Sequence, residues 1–432
     1  MPEDQIRSQA RHYTPAGEFR GLRAWQPITC GPRSSGSTFE GTMSTTQQST
    51  SASARKIHFA FTDEQDQFRS AVRRFLNDKS PTTEVRRLMA TAEGYDPAVW
   101  RQLSEDLALP GIHVPEQFGG AGFGMVELCI VTEEFGRALL CAPYFSTAVL
   151  AANAILSAGT EAQKSALLPE LAKGARLATL AVTEPDGNWD PAAIKLVATP
   201  DSDGYRLDGV KSFVVDGHLA ELLVVAARIP KTTGLEGLAL FTLDANAAGV
   251  ERRLLESMDP TRKLARIDFR GAHASLLGNL NDGAAAILRT LDRAAIALAN
   301  EMVGGAQIML DSAVSYAKLR VQFGRTIGSF QAIKHKLADM LLDVELAKSA
   351  AYYAAQASAA DDPEWPALAS LAKAAASETY LHTAAECIQI HGGIGFTWDN
   401  DTHLWFKRAK SSEVFLGQPS YHRELLMQRW GV

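Results

Sequence analysis

The spacing of hydrophobic and polar positions changes character three times along the chain. From Phe61 it becomes helical: in TDEQDQFRSAVRRFLND, Phe68, Val72, Phe75 and Leu76 share one face. Thr62 is placed to cap this helix, with Glu64 in its first turn. The same spacing returns in PAVWRQLSEDL, MVELCIVTEEFGRALL and TEAQKSALLPELAKG, separated by Gly and Pro clusters such as PEQFGGAGFG. Residues 61–178 therefore predict an all-helical N-terminal domain.

From Leu177 to about Phe269 the period falls to two and β-branched residues dominate. ARLATLAVTE, IKLVATPDSDGYRLDGVKSFVVDG, LLVVAARI and LALFTLDA read as strands, with Gly204, Gly209 and Gly217 at turns. No helix-length pattern separates them, so residues 179–280 predict an antiparallel β domain, a small barrel or sandwich. From about Asp282 long helical runs follow. GAAAILRTLDRAAIALANEMVGGAQIMLDSAVSYAKLR has no proline across about ten turns. IGSFQAIKHKLADMLLDVELAKSAAYYAAQASA and PALASLAKAAASETYLHTAAECIQIH complete the pattern of a four-helix bundle over 281–432. The fold class is α+β, with helix, sheet and helix segregated along the chain.

The first 60 residues differ. MSTTQQSTSASARK is polar and of low complexity, which predicts a disordered extension, or a start at Met43 in place of Met1. Acidic residues at Glu3, Asp4, Glu18 and Glu40 speak against a transit peptide.

Composition narrows the function classes. The 432 residues are 46% hydrophobic and 21% charged, with a net charge of -6, so no basic field attracts nucleic acid or anionic lipid. The four cysteines, at 30, 129, 141 and 387, form no CxxC pair, which points away from a zinc site and towards a reducing, cytoplasmic setting. The longest uncharged stretch, Ala138 to Gly159, is broken by Pro143, Ser146, Thr147 and Asn153 and predicts buried helix and turn, not a membrane span.

Candidate chemistry lies in short motifs. RVQFGRTIGSFQ (Arg320 to Gln331) places an arginine, a donor fork for phosphate, beside a Phe-Gly turn. In QIHGGIGF (Gln389 to Phe396), Gly392 and Gly393 allow backbone to approach a ligand, although a plain helix-ending turn has the same look. No strand precedes this turn, so it is not a Rossmann loop. AVTEP and LDGVKSFVVDG lie in the β segment. Together, in this order, these stretches resemble the acyl-CoA dehydrogenase family, with its R-x-x-F-G-x-x-I-x-x-F-Q, Q-x-x-G-G-x-G-[YF], TEPxxGSD and LxGxKxWITNG motifs. The resemblance runs from about Phe61 to the C-terminus.

The resemblance implies FAD as cofactor, an acyl-CoA substrate, an electron-transfer flavoprotein or similar acceptor, and at least a dimer. It implies that Thr183, Phe213 and Val215 line the isoalloxazine, and that Arg320, Gln322, Phe323 and Gln331 serve the cofactor. Gln389 and the Gly392–Gly393 turn would reach the FAD of a neighbouring subunit. No metal site is implied. The chain departs from the family at the flavin and thioester. Phe213 replaces Trp, Val215 replaces a hydroxyl-bearing Thr, and Trp189 stands where a small Ser is usual.

The family reaction also needs a carboxylate base. Aligned through FKRAKSSEVFLGQ, its usual place falls on Leu416; the alternative place, on the first bundle helix, falls on Ala294. Glu301 lies two turns further on the same face, about 10 Å along the axis. It is the candidate catalytic residue, and a carboxylate paired to a neighbouring helix is the competing reading. Glu413 reads as structural. His391, His403 and His422 read as residues of loops or a surface helix. The readings are then a subunit of a hetero-oligomer whose partner supplies the base, as the resemblance to α2β2 relatives acting on steroid-derived acyl-CoAs implies; a self-sufficient homo-oligomer; a flavin monooxygenase or oxidase on the same fold; or a catalytically inactive family member.

Overall fold

A computed structural model describes residues 60–432; the predicted disordered extension lies, but for Ala60, outside the described residues. The chain opens with helices α1 (Asp63–Lys79), α2 (Thr82–Met89), α3 (Pro97–Glu105) and α4 (Met125–Ala138). Thr62 caps α1 as predicted, and Gln65 closes a reciprocal capping box with it. The uncharged stretch after α4 is a buried, wide-turned helix over Phe145–Ala152 that runs into α5 (Asn153–Ala158). After α6 (Glu161–Ala172) the chain enters the sheet.

Seven strands form one sheet: β1 (Ala178–Ala181), β2 (Val197–Asp201), β3 (Gly204–Val215), β4 (Leu222–Arg228), β5 (Leu238–Asp244), β6 (Val250–Leu255) and β7 (Leu264–Leu277). The expectation of an antiparallel sheet needs one correction. β1 runs parallel to β4, with Ala178 opposite Leu222, and β2 meets β4 in parallel at Val197 and Arg228. The two strands of the first pair are separated by the β2–β3 hairpin, so both can run the same way. All other strand pairs are antiparallel. β6 and β7 escaped the sequence reading because VERRLL and LARIDFRGAHASLL are rich in charged residues and poor in the β-branched runs of the other strands.

The C-terminal unit has three long helices, α7 (Gly283–Leu319), α8 (Gln331–Ala359) and α9 (Trp365–His391). Two shorter ones, α10 (Thr402–Val414) and α11 (Pro419–Arg429), complete the bundle. The main core is shared between the N-terminal helices, the inner sheet face and this bundle. Close approach of α4 and α7 depends on glycine. A Cβ at Gly136 would stand 1.9 Å from the Glu301 carbonyl oxygen, and one at Gly304 would stand 1.9 Å from that of Glu133.

Candidate active site

The R-x-x-F-G stretch sits where α7 gives way to α8. Val321–Gln322 pairs with Arg325–Thr326 in a minimal ribbon, and its turn is Phe323–Gly324. Both turn residues have positive φ, 53° and 75°, as a tight hairpin with matched twist requires. Phenylalanine in this conformation is strained, and the ring is 90% exposed. Arg320, Gln322 and Gln331 are exposed too. The Arg320 guanidinium has no hydrogen bond or ion pair among the described residues.

Tyr316, in the last turns of α7, stacks on His391 at the end of α9, centroid to centroid 4.2 Å. That contact brings the Arg320 ribbon and the Gln389–Gly393 turn to the same end of the bundle. Gly392 has φ 66°, and a Cβ there or at Gly393 would meet nothing within 4 Å. The space over this turn is open.

The sheet residues form a second group. A bulge lets β3 pair on β7 up to Lys211 and again from Val214, leaving Phe213 with φ 58°. Its ring enters a cavity of about 220 Å³ lined also by Gly187, Trp189, Leu264, Val414 and Phe415. Trp189 meets Phe415 edge to face at 5.3 Å. Thr183 is buried and its hydroxyl donates to the Ser212 carbonyl at 2.6 Å, which leaves the oxygen free to accept. Val215 is also buried, and its carbonyl accepts from the Thr179 hydroxyl at 2.6 Å. An apolar slot with an aromatic wall, an uncommitted guanidinium and an open glycine turn suit a flavin dinucleotide. Within one chain, no hydrogen bond, ion pair or ring contact among the described residues joins the bundle group to the sheet group.

Beneath the slot lies a buried charge network. Arg262 closes the floor of the cavity, with its guanidinium 5.0 Å from the Phe415 centroid and 5.4 Å from that of Phe145. It donates to Glu301 Oε1 at 2.5 Å and to the Ser412 hydroxyl at 3.2 Å. Arg408 donates to the same Glu301 oxygen at 2.9 Å, to Asp259 Oδ2 at 2.8 Å and to the Thr261 hydroxyl at 2.6 Å. Burial opposes the Arg408 charge, yet Asp259 and Glu301 together raise its pKa. Arg262 is shifted down, by burial first and by Arg408. The space these groups share with Tyr144, Val215 and Asp216 is only about 30 Å³. Asp216 accepts from the Ser146 hydroxyl at 2.7 Å, and burial pushes its carboxyl up to about 6. Arg262, Arg408 and Asp216 were not singled out by sequence; DPTR and KRAK carry no catalytic spacing.

The base positions are apolar here. Leu416 is 4% exposed with φ 61°, and Gly417 follows with φ 106°. His422 Nε2 lies 2.9 Å from the Leu416 carbonyl oxygen, so that nitrogen carries the proton and donates. Lys373 donates to the Gly417 carbonyl at 2.9 Å and the Glu413 carbonyl at 3.2 Å. Ala294 is fully buried in α7. The histidines depart from expectation. His391 and His422 are buried helix residues, and His403 in the first turn of α10 is half-buried. Burial, then Lys373, holds the His422 imidazole down to about 3.

Comparison with known proteins agrees with this architecture. Family models for the acyl-CoA dehydrogenase N-terminal, middle and C-terminal domains match residues 62–175, 179–270 and 281–431. The acyl-CoA dehydrogenase IpdE2 of Mycobacterium tuberculosis is 35% identical over 84% of this chain and 95% of its own length. Among solved structures, a variant of the Tcur3481-Tcur3483 steroid ACAD is 33% identical at a TM-score of 0.78, covering 85% of this chain and 98% of its own. The ChsE4-ChsE5 complex from Mycobacterium tuberculosis is 25% identical at a TM-score of 0.79, covering 87% of this chain and 99% of that one. With three consecutive domain matches and a relative this similar over nearly its whole length, the chain belongs to the acyl-CoA dehydrogenase family.

Proposed function

We propose that this chain is the FAD-binding subunit of a hetero-oligomeric acyl-CoA dehydrogenase whose partner supplies the base. One observation carries the reading. Both places where the family keeps its carboxylate are buried and apolar, at Leu416 and Ala294. The nearest glutamate, Glu301, has one oxygen shared by two guanidinium groups. A carboxylate engaged in that way is a structural counter-ion and not a free proton acceptor. Its distance along α7 from the Ala294 position adds to the argument.

In this reading Arg320 binds phosphate oxygens and Phe213 packs on the ring. Trp189 and Phe415 keep water from the reacting carbons, and the Gly392–Gly393 turn admits the cofactor of an adjoining chain. FAD, when bound, supplies the acceptor for the hydride that leaves Cβ. The Cα proton goes to a carboxylate outside this chain. Exposed Arg320 and Phe323, which no hydrogen bond, ion pair or ring contact among the described residues joins to the sheet slot, support a site assembled between chains. The relation to a steroid ACAD makes bulky ring-derived acyl-CoA thioesters the first substrates to test. An electron-transfer flavoprotein is the acceptor this reading entails.

The test is anaerobic titration of the chain purified alone and co-expressed with a homologous chain that bears the glutamate. The expected result is flavin bleaching by acyl-CoA only in the co-expressed complex. Bleaching by the isolated chain at the same rate would overturn the partner-supplied base.

A further inference from the structure

We propose that a second cavity, which shares no lining residue with the slot at Phe213, binds a small oxyanion of the phosphate or carboxylate type. The cavity measures about 310 Å³ and lies where the N-terminal helices meet α7 and the end of α8. Its wall includes His113, Gly124, Met125, Arg293 and Ser358. None of these belongs to the site described above.

Two features favour an anion over water alone. First, both ring nitrogens of His113 and the hydroxyl of Ser358 are buried without a hydrogen-bond partner in the protein. Ser358 is only 8% exposed, so its hydroxyl has little recourse to bulk solvent. Polar atoms in such places are normally paired. Second, Arg293 has no hydrogen bond or ion pair among the described residues; its guanidinium rests 5.9 Å from the Trp365 ring. Arg289, one turn earlier on α7, adds a like charge, and its contact is a single bond to the Ser157 carbonyl at 3.3 Å. Two arginines four apart on one helix repel each other, and the Asp361 carboxylate offsets only part of this at Arg293, whose pKa stays lowered by burial first and then by Arg289.

The donor set fits an oxyanion. Arg293 offers a fork, Ser358 a hydroxyl and His113 an N–H. Burial and the Arg293 charge hold the imidazole down to about 4, so it enters as a neutral donor, and an anion beside it would offset both effects. The source is either a free anion or a phosphate group of coenzyme A, and the experiment separates them.

The full-length protein, as purified with its cofactor and any partner, is titrated with inorganic phosphate by calorimetry. Crystals are soaked in bromide to locate anions by anomalous scattering. The expected results are saturable phosphate binding and a bromide peak between Arg293 and His113. Arg293→Met should weaken phosphate at least about tenfold and His113→Phe about threefold, while Arg423→Met leaves it unchanged. Competition between phosphate and coenzyme A would assign the anion to the coenzyme; independent binding would assign it to a free ion. No saturable binding and no peak, or equal binding in Arg293→Met with the fold intact by circular dichroism, would overturn the proposal.

Discussion

Glu301 Oε1 accepts from Arg408 Nη1 at 2.9 Å, a contact that ties the first bundle helix to α10 beneath the cavity lined by Phe213 and Trp189. Because Arg262 uses the same oxygen, one carboxylate neutralises parts of two buried cations. Removing one member of such a cluster leaves charge without compensation. Glu301→Gln keeps the shape and deletes the charge, so it should cost about 3–5 kcal/mol of unfolding free energy. Urea unfolding of the two proteins checks the cost. In the assembled complex, bleaching per bound flavin should stay within about twofold. A variant as stable as wild type that never bleaches would instead make Glu301 the base.

Arg320 offers the opposite case. Its guanidinium has no partner among the described residues, so Arg320→Met should leave the thermal midpoint of the cofactor-free protein within about one degree. Loss of a charged donor to phosphate should lower FAD affinity by about ten- to a hundredfold. The ratio of flavin to protein absorbance after gel filtration reads that loss directly. Unaltered retention would remove Arg320 from the cofactor site.

The α4–α7 contact gives a sharper stability test. A Cβ at Gly304 has no room, because it would meet the backbone carbonyl of Glu133 and not a flexible side chain. Gly304→Ala gains helix propensity of about 1 kcal/mol, but the two helices must move apart. The net expectation is a loss of about 1–3 kcal/mol or more, the range for an overpacked core. Denaturant midpoints measure it. A stabilised variant would show that the helices separate at little cost.

Much of this was legible before the structure. Helical periodicity placed α1, α3, α4, α6 and the long bundle helices, because amphipathic faces repeat over many turns. Motif order singled out Arg320, Phe213 and the Gly392–Gly393 turn as candidates, and the structure gives positive φ to the Phe323–Gly324 turn, to Gly392 and to Phe213. What was not legible depends on contacts distant in sequence. Arg262 and Arg408 are unremarkable basic residues until folding places Glu301 between them. β7 does carry a period-two alternation, but its arginines, Asp268 and His273 leave it short of the β-branched run that marks the other strands. The parallel β1–β4 pairing is a matter of topology, on which local pattern is silent. His422 reads as a surface helix residue because its neighbours Arg423 and Glu424 are polar, yet it is only 3% exposed.

That burial makes His422 a titrating element of the turn at Leu416. Burial and Lys373 lower its folded-state pKa from the ordinary 6.5 of histidine to about 3. In the unfolded chain the imidazole takes up its proton near pH 6.5, while in the folded chain it stays neutral until about 3. Between those values the unfolded state binds more protons, so stability falls as pH falls, by up to about 1.4 kcal/mol per pH unit. Other buried groups titrate in the same range: His113, held down to about 4, acts with the same sign, and Asp216 and Asp292, both raised to about 6, act with the opposite sign. The difference between wild type and His422→Gln isolates the one residue. At pH 7.5 the variant should be the less stable, having lost the imidazole's fit and its bond to the Leu416 carbonyl. As pH drops from about 6.5 towards 4 the gap should narrow, because only wild type carries the buried imidazole's penalty. Urea unfolding at four pH values measures the gap, and a constant or widening one would show that His422 is protonated in the folded protein.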